Sequence, residues 1–175
     1  GFYPDRIMHQ GNGEMMPAPD VALSVRKITR RASVRICHEA FKLALRRRRK
    51  VTAVHKGNVF RLTDGLFLTC FETVAKDYPE VATETVIVDA MAAYLVRQPE
   101  TYDVIVTTNF YGDILSDLAS ELSGSLGLAG SIMGNTDSGL CCAQAQHGSA
   151  PDIAGQNCAN PTALILSAAM MLSWL

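Results

Sequence analysis

The sequence predicts an α/β protein of layered helices and strands, on three observations. Segments with apolar residues three and four apart alternate with short runs of β-branched residues along most of the chain. The composition is 48% hydrophobic and 19% charged, which suits a packed core and excludes a disordered tail. The length, 175 residues, is enough for one ordinary domain or pieces of two.

Residues 1–19 are turn-rich, with Gly1, Pro4, Gly11-Asn12-Gly13, Pro17 and Pro19, and are expected to be irregular or a hairpin. A helix is expected from Asp20 or Ser24, with Ile28, Ala32, Ile36, Ala40, Phe41 and Ala44 at helical spacing, ending in Arg46-Arg47-Arg48-Arg49-Lys50. Val51-Thr52-Ala53-Val54 is a buried strand by its β-branched content. A helix from about Asp64 to Asp77, an extended run from Ala82 to Val88 and a short helix from Asp89 to Arg97 follow, with Pro99 beyond. Then come a strand over Tyr102 to Thr107, a helix from about Gly112 to Gly124 and a Gly-rich loop over Gly124 to Gly139. A short strand near Leu140 to Ala145 and a polar loop over Gln146 to Asn160 lead to a last helix, with Pro161 in its first turn. No internal repeat is present.

Sixteen Lys and Arg against seventeen Asp and Glu leave a net charge of −1, so neither nucleic acid nor a membrane is expected as a partner. Eleven of the basic residues lie between Arg26 and Lys50, against the single acid Glu39. This run reads as a solvated helix face whose cationic end complements the helix dipole, over the alternative of a phosphate-binding helix for nucleic acid. The five cysteines are odd in number, include adjacent Cys141 and Cys142, and form no C-x-x-C pair. Neither a disulfide framework nor a thiolate zinc site fits, and a reducing, cytoplasmic compartment is expected. The apolar run Ala163 to Leu175 is too short to span a bilayer and reads as a buried helix. The chain opens at Gly1 in a loop-like segment and stops in that apolar run, as expected of an internal fragment of a longer protein.

Asp113 and Asp117 are four apart on a helix and share one face, with Cβ atoms about 6 Å apart. Two readings stand side by side. Helix capping uses carboxylates near an N-terminus, whereas a hard divalent cation takes carboxylate oxygens at about 2.1 Å and resolves their repulsion. Ile114 and Leu115 between them suggest a face near the core. Asp89 closes an extended run, where α/β proteins place ligands and where N-caps also occur. Lys56 follows a buried strand, so it either escapes to water or serves as a general base. Tyr3 has no local clue separating proton donor from packed aromatic. In the loop His147 to Gly155, small residues let backbone approach a flat ligand, and Asp152 can accept from a ribose diol while repelling a 2′-phosphate. A loop packed by its own residues is the competing reading.

Taken together and in order, these strings resemble the isocitrate/isopropylmalate dehydrogenase family of β-decarboxylating oxidoreductases. The strings are Val54-His55-Lys56-Gly57-Asn58, Val88-Asp89, Asn109 to Asp117, Gly124-Ser125-Leu126-Gly127, His147 to Gly155 and Ala159-Asn160-Pro161. The resemblance implies that family's three-layer α/β/α fold, here incomplete at both ends. Residues 1–123 would form most of the substrate and dimer domain, and 124–175 the second part of the cofactor domain. It implies Asp89, Asp113 and Asp117 as ligands of Mg²⁺ or Mn²⁺, Lys56 as the base and Tyr3 as the acid. Asn58, His147, Gly148, Ser149, Ala150, Pro151, Asp152, Ile153 and Asn160 would bind the cofactor. Asp152 and Ile153 replace the Lys and Tyr of members using NADP, which favours NAD. The implied reaction is oxidative decarboxylation of a 2-hydroxy di- or tricarboxylic acid, of the 3-isopropylmalate, isocitrate or tartrate type. It would run in a homodimer whose subunits share active sites, with Lys56 and Asp89 crossing to the partner. Gly57 stands where Ala is usual and Gln144 where Glu is common. The competing class is a non-catalytic or regulatory subunit that keeps the dimer interface.

Overall fold

The computed structural model describes residues 13–174, which pack as two compact units. Tyr3 lies outside the described residues. The first unit runs to Val88 and adds Tyr102–Thr108; the second comprises Asp89–Thr101 and Asn109–Leu175.

The first unit opens with an antiparallel hairpin of β1 (Glu14–Ala18) and β2 (Val21–Ser24), with Met15 opposite Leu23. Residues 20–24, expected in a helix, are thus strand and turn. The helix α1 (Arg30–Leu45) begins later because Thr29 is extended and its side chain accepts from the Ala32 N–H, satisfying a first-turn donor. Ser33, Cys37, Ala40, Phe41 and Ala44 form its buried stripe. Two of the basic residues after it, Arg47 and Arg48, are held by one acid. Asp103 accepts from the Arg47 side chain and the Arg48 N–H, each at 2.8 Å.

A three-stranded parallel sheet carries the unit, in the order β4-β3-β5: β4 is Ala82–Ile87, β3 Lys50–His55 and β5 Val104–Thr107. The central strand β3 is buried on both faces from Val51 to Val54, where the one polar side chain, Thr52, donates to Glu84 at 2.7 Å. Helix α1 and helix α2 (Thr63–Ala75) pack on each other and on the sheet. The core joins Phe41 and Cys37 of α1, Phe67, Phe71 and Val74 of α2, and Val51, Ala53, Val104 and Val106 of the strands. Phe41 stacks on Phe71 at 5.5 Å and on Tyr78 at 5.0 Å between ring centroids. Parallel strands put the carboxyl ends of all three at one edge, where Lys56 and Thr108 follow.

The second unit contains α3 (Val88–Arg97), α4 (Asn109–Leu122) and a two-stranded antiparallel ribbon under α5 (Thr162–Trp174). The ribbon pairs β6 (Gly130–Gly134) with β7 (Cys141–Ala145), so part of the expected Gly-rich loop is strand. Glycine there admits the helix: a Cβ on Gly130 would lie 2.9 Å from Leu166 Cβ, and one on Gly134 would overlap the Trp174 ring. Buried Ser167 ties the layers, its hydroxyl accepting from the Ser131 N–H at 2.9 Å and lying 2.7 Å from the Gln144 carbonyl. The expectation of a buried last helix needs correction. Only small Ala163 and Ser167 are buried, because they face the ribbon backbone, while Leu164, Ile165, Leu166, Met170 and Leu172 are exposed. Among the described residues no helix is long and apolar enough to cross a membrane.

Two outcomes follow for the packing. Burial, with Cys70 nearby, pushes the Cys37 thiol up to about 12, so a thiol-specific disulfide reagent should label exposed Cys142 and Cys158 in native protein. Cys37 and Cys70 should react only after unfolding. Gly134→Ala should lower stability by about 1–3 kcal/mol through overpacking against Trp174. Gly65→Ala, in α2 with open space around its Cβ, should be neutral or stabilising. Urea unfolding curves compare the two.

Candidate functional site

In the first unit, the chain turns at Lys56 immediately after β3, and the peptide groups on either side of the Lys56 side chain are held by hydrogen bonds. The Lys56 N–H donates to Asp64 Oδ2 at 2.6 Å, and its carbonyl accepts from the Val59 and Phe60 N–H groups at 2.9 and 2.8 Å. The next N–H, that of Gly57, donates to His55 Nδ1 at 2.9 Å. Asp64, in the first turn of α2, is 0% exposed. Its other oxygen accepts from Arg26 Nη1 at 2.6 Å, and Arg26 Nη2 donates to Thr108 Oγ1 at 2.6 Å. The Arg26 guanidinium also lies over the Phe60 ring, 5.5 Å from its centroid. A buried carboxylate is costly unless charge-paired and hydrogen-bonded, and Asp64 is both. Neither Arg26 nor Asp64 was among the residues that the sequence put forward. The signal was an acid at the start of the apolar helix Thr63-Asp64-Gly65-Leu66-Phe67-Leu68, where a mere dipole or cap role also fits. Asn58, in the same turn, is exposed.

Burial pushes the His55 pKa below its ordinary value, against the opposing pull of the Asp64 carboxylate. The neutral ring is the form that accepts from Gly57, since a protonated ring has no acceptor.

In the second unit, α4 begins at Asn109, three residues before the expected start, and has no acid in its first turn. Asp113 and Asp117 are therefore too far along for capping. Tyr111 and Leu115 face inward, whereas Asp113, Ile114 and Asp117 are exposed. The pair shares an outward face, not one at the core as Ile114 suggested. Asp117 Oδ1 accepts from Gln146 Nε2 at 2.8 Å, which links this face to the residue before His147. Asp89 lies in the first turn of α3 and is exposed. Among the described residues no three His, Cys, Asp or Glu side chains gather to hold a metal ion. Two carboxylates on one face are nonetheless hard oxygen donors of the kind that Mg²⁺ and Mn²⁺ take, with further ligands coming from substrate or a second chain.

The same unit holds a hollow of about 840 Å³. Its lining includes His147, Gly148, Ser149, Ala150, Ile153 and Asn160, as expected, but not Pro151 or Asp152. Ser125, Leu126 and Gly127 also line it, with Ser125 Oγ accepting from the Gly127 N–H at 3.1 Å. The serine-glycine spacing was their signal. The volume and a lining of mostly small, apolar groups with a few polar side chains suit the nucleoside half of a dinucleotide. Ala150 is left-handed at φ 43°, which turns the chain into a short 3-10 turn at Pro151–Ile153. Asn160 Oδ1 accepts from the Thr162 N–H at 3.0 Å, so the amide nitrogen is what Asn160 offers a ligand. His147 Nδ1 lies 2.8 Å from the Gly148 carbonyl, which requires a proton on Nδ1 and leaves Nε2 as an acceptor.

Comparison with known proteins fits this arrangement. The isocitrate/isopropylmalate dehydrogenase family model matches residues 5–175. The chain is 54% identical over 157 residues to an isocitrate/homoisocitrate dehydrogenase of Thermus thermophilus, covering 89% of this chain and 46% of that protein. It is 51% identical over 153 residues to the isocitrate dehydrogenase [NAD] catalytic subunit 6, mitochondrial, of Arabidopsis thaliana, covering 87% and 41%. The crystal structure of isocitrate dehydrogenase from Methylococcus capsulatus superposes with a TM-score of 0.83 at 48% identity, covering 88% of this chain and 45% of that one. The chain thus spans less than half the length of these relatives.

The lowered His55 pKa has a stability consequence. A depressed folded value contributes stability that is full above the ordinary value of 6.5 and is lost as pH falls through the folded one. Urea unfolding between about pH 8 and 5 should show stability dropping more on the acid side than in His55→Asn, whose non-titrating amide oxygen replaces Nδ1. By fold, by site strings and by identity, this chain belongs to the isocitrate/isopropylmalate dehydrogenase family.

Proposed function

We propose that the protein carrying this chain oxidises and decarboxylates a 2-hydroxy di- or tricarboxylic acid of the isocitrate, 3-isopropylmalate or tartrate type, with NAD as hydride acceptor. The observation that most supports this reading is α4, whose Asp113 and Asp117 share an exposed face and are not spent on capping. With Asp89 they would hold Mg²⁺ or Mn²⁺. When bound, that ion supplies Lewis acidity for the hydroxyl and for the charge that develops on loss of CO₂. Lys56 would take the hydroxyl proton at Nζ, and NAD, when bound, would supply the acceptor for the hydride of the same carbon. Tyr3 returns a proton to the carbon that has lost CO₂. His147, Ser149 and Asn160 would bind the adenosine half at the hollow. Asn58 would contact the nicotinamide or the substrate, and the Asp152 carboxylate would disfavour a 2′-phosphate.

The functional division we propose assigns residues 1–123 to substrate and dimerisation and 124–175 to the cofactor. The assembly is a homodimer in which Lys56 and Asp89 of one subunit complete the site of the other. Five free cysteines fit a reducing compartment, which we take to be the cytoplasm.

A panel of isocitrate, homoisocitrate, 3-isopropylmalate and tartrate with NAD and Mn²⁺ tests the reading on the whole protein. We expect chelator-sensitive NADH formation with one of them and much weaker activity with NADP. Asp113→Asn should cost about 10² in rate or more and weaken Mn²⁺ binding, as followed by electron paramagnetic resonance. An Asp113→Asn rate near normal removes α4 from the metal site. NAD binding without turnover of any acid points instead to a regulatory subunit.

A further inference from the structure

We infer that Asp64 and His55 are positioning residues for Lys56: their side chains hold the two successive peptide N–H groups that bracket the Lys56 side chain. The inference rests on Lys56 being the base of the proposed reaction.

A general base works only within hydrogen-bond reach of its proton, and Lys carries its nitrogen on a long, flexible stem. The anchor of that stem must therefore be fixed by the backbone. Asp64 Oδ2 takes the Lys56 N–H at 2.6 Å, and His55 Nδ1 takes the Gly57 N–H at 2.9 Å. The Lys56 carbonyl closes the turn by accepting from Val59 and Phe60. Asp64 cannot drift, because it is fully buried and its second oxygen is clamped by Arg26, which is itself held to Thr108 beyond β5. A Cβ on Gly57 would stand 3.0 Å from His55 Nδ1, so a side chain there would require the ring to give by a few tenths of an ångström. Asn at position 64 offers one acceptor to two donors, so either Arg26 or the Lys56 N–H would face an NH₂ group.

The experiment measures kcat and KM of the whole protein with Mn²⁺, NAD and the acid that the panel identifies. The variants are Lys56→Ala, Asp64→Asn, His55→Leu, His55→Asn and the double variant Lys56→Ala/Asp64→Asn. We expect Asp64→Asn and His55→Leu to lower kcat about tenfold to a hundredfold, with KM changed less than about threefold. His55→Asn, which restores an acceptor, should recover most of the loss. In the Lys56→Ala background, Asp64→Asn should cost less than about threefold more, because there is no base left to place. Hydrogen exchange gives a readout apart from turnover: the Lys56 and Gly57 amides should be protected in the native protein, the first exposed by Asp64→Asn and the second by His55→Leu. Near-native kcat in Lys56→Ala overturns the reading of Lys56 as base. A dead Lys56→Ala beside fully active Asp64→Asn and His55→Leu overturns this inference alone, as does an additive loss in the double variant. Should Asp64→Asn fail to fold, the His55→Leu and His55→Asn pair decides: equal activity of the two overturns the inference.

Discussion

One buried carboxylate organises the edge of the first unit where its parallel strands end. Asp64 gathers a cation from the segment before α1, a peptide N–H from the turn after β3 and, through Arg26, the hydroxyl that follows β5. Removing one partner of such a buried pair leaves an uncompensated charge and typically costs about 3–5 kcal/mol. A group with that much at stake fixes the loops around it. The ends of two strands and the start of α2 become one hydrogen-bonded piece, and Lys56 is mounted on it.

The second unit is built on a different principle. Its carboxylates Asp113 and Asp117 stand on the exposed face of a helix whose other side, Tyr111 and Leu115, is buried. Rigidity comes from the helix, and availability comes from facing outward. The hollow is likewise walled by backbone and small side chains, so its shape depends on turn geometry at Ser125 and Ala150 more than on bulky packing. Gln146 ties the two features by donating to Asp117. It sits directly before His147, so a shift of the loop that begins there would be felt at that carboxylate.

The alternation of helix and strand was legible because each element carries its own period. Elements from β3 to α4 fall within a few residues of where spacing put them. What escaped was decided by tertiary partners or by single turns. The stretch Val21–Ser24 pairs across a hairpin with β1, so its apolar residues serve a strand, although they also fit the helical count that continues into α1. The start of α4 at Asn109 moved Asp113 out of the first turn, and that shift alone separated two readings that spacing left level. Asp64 was invisible as a mount because its partners lie 38 residues before it, 8 before it and, through Arg26, at Thr108. The strings that resemble the family named Lys56, Asp113 and His147 without that knowledge, since they report local chemistry. Pro151 and Asp152 lie outside the lining of the hollow, whose wall follows the backbone curve.

Gly130 and Gly134 sit four apart on β6, so they point to the same side of the ribbon as Ile132 between them. That is the side on which α5 rests, with Leu166 over the first glycine and Trp174 over the second. A slip of β6 by one position would carry Ser131 and Met133 to that side and turn both glycines outward. The two missing side chains therefore act as a phase marker. Only one alignment of β6 with β7 lets the helix settle, and the hollow beside it inherits that unique setting.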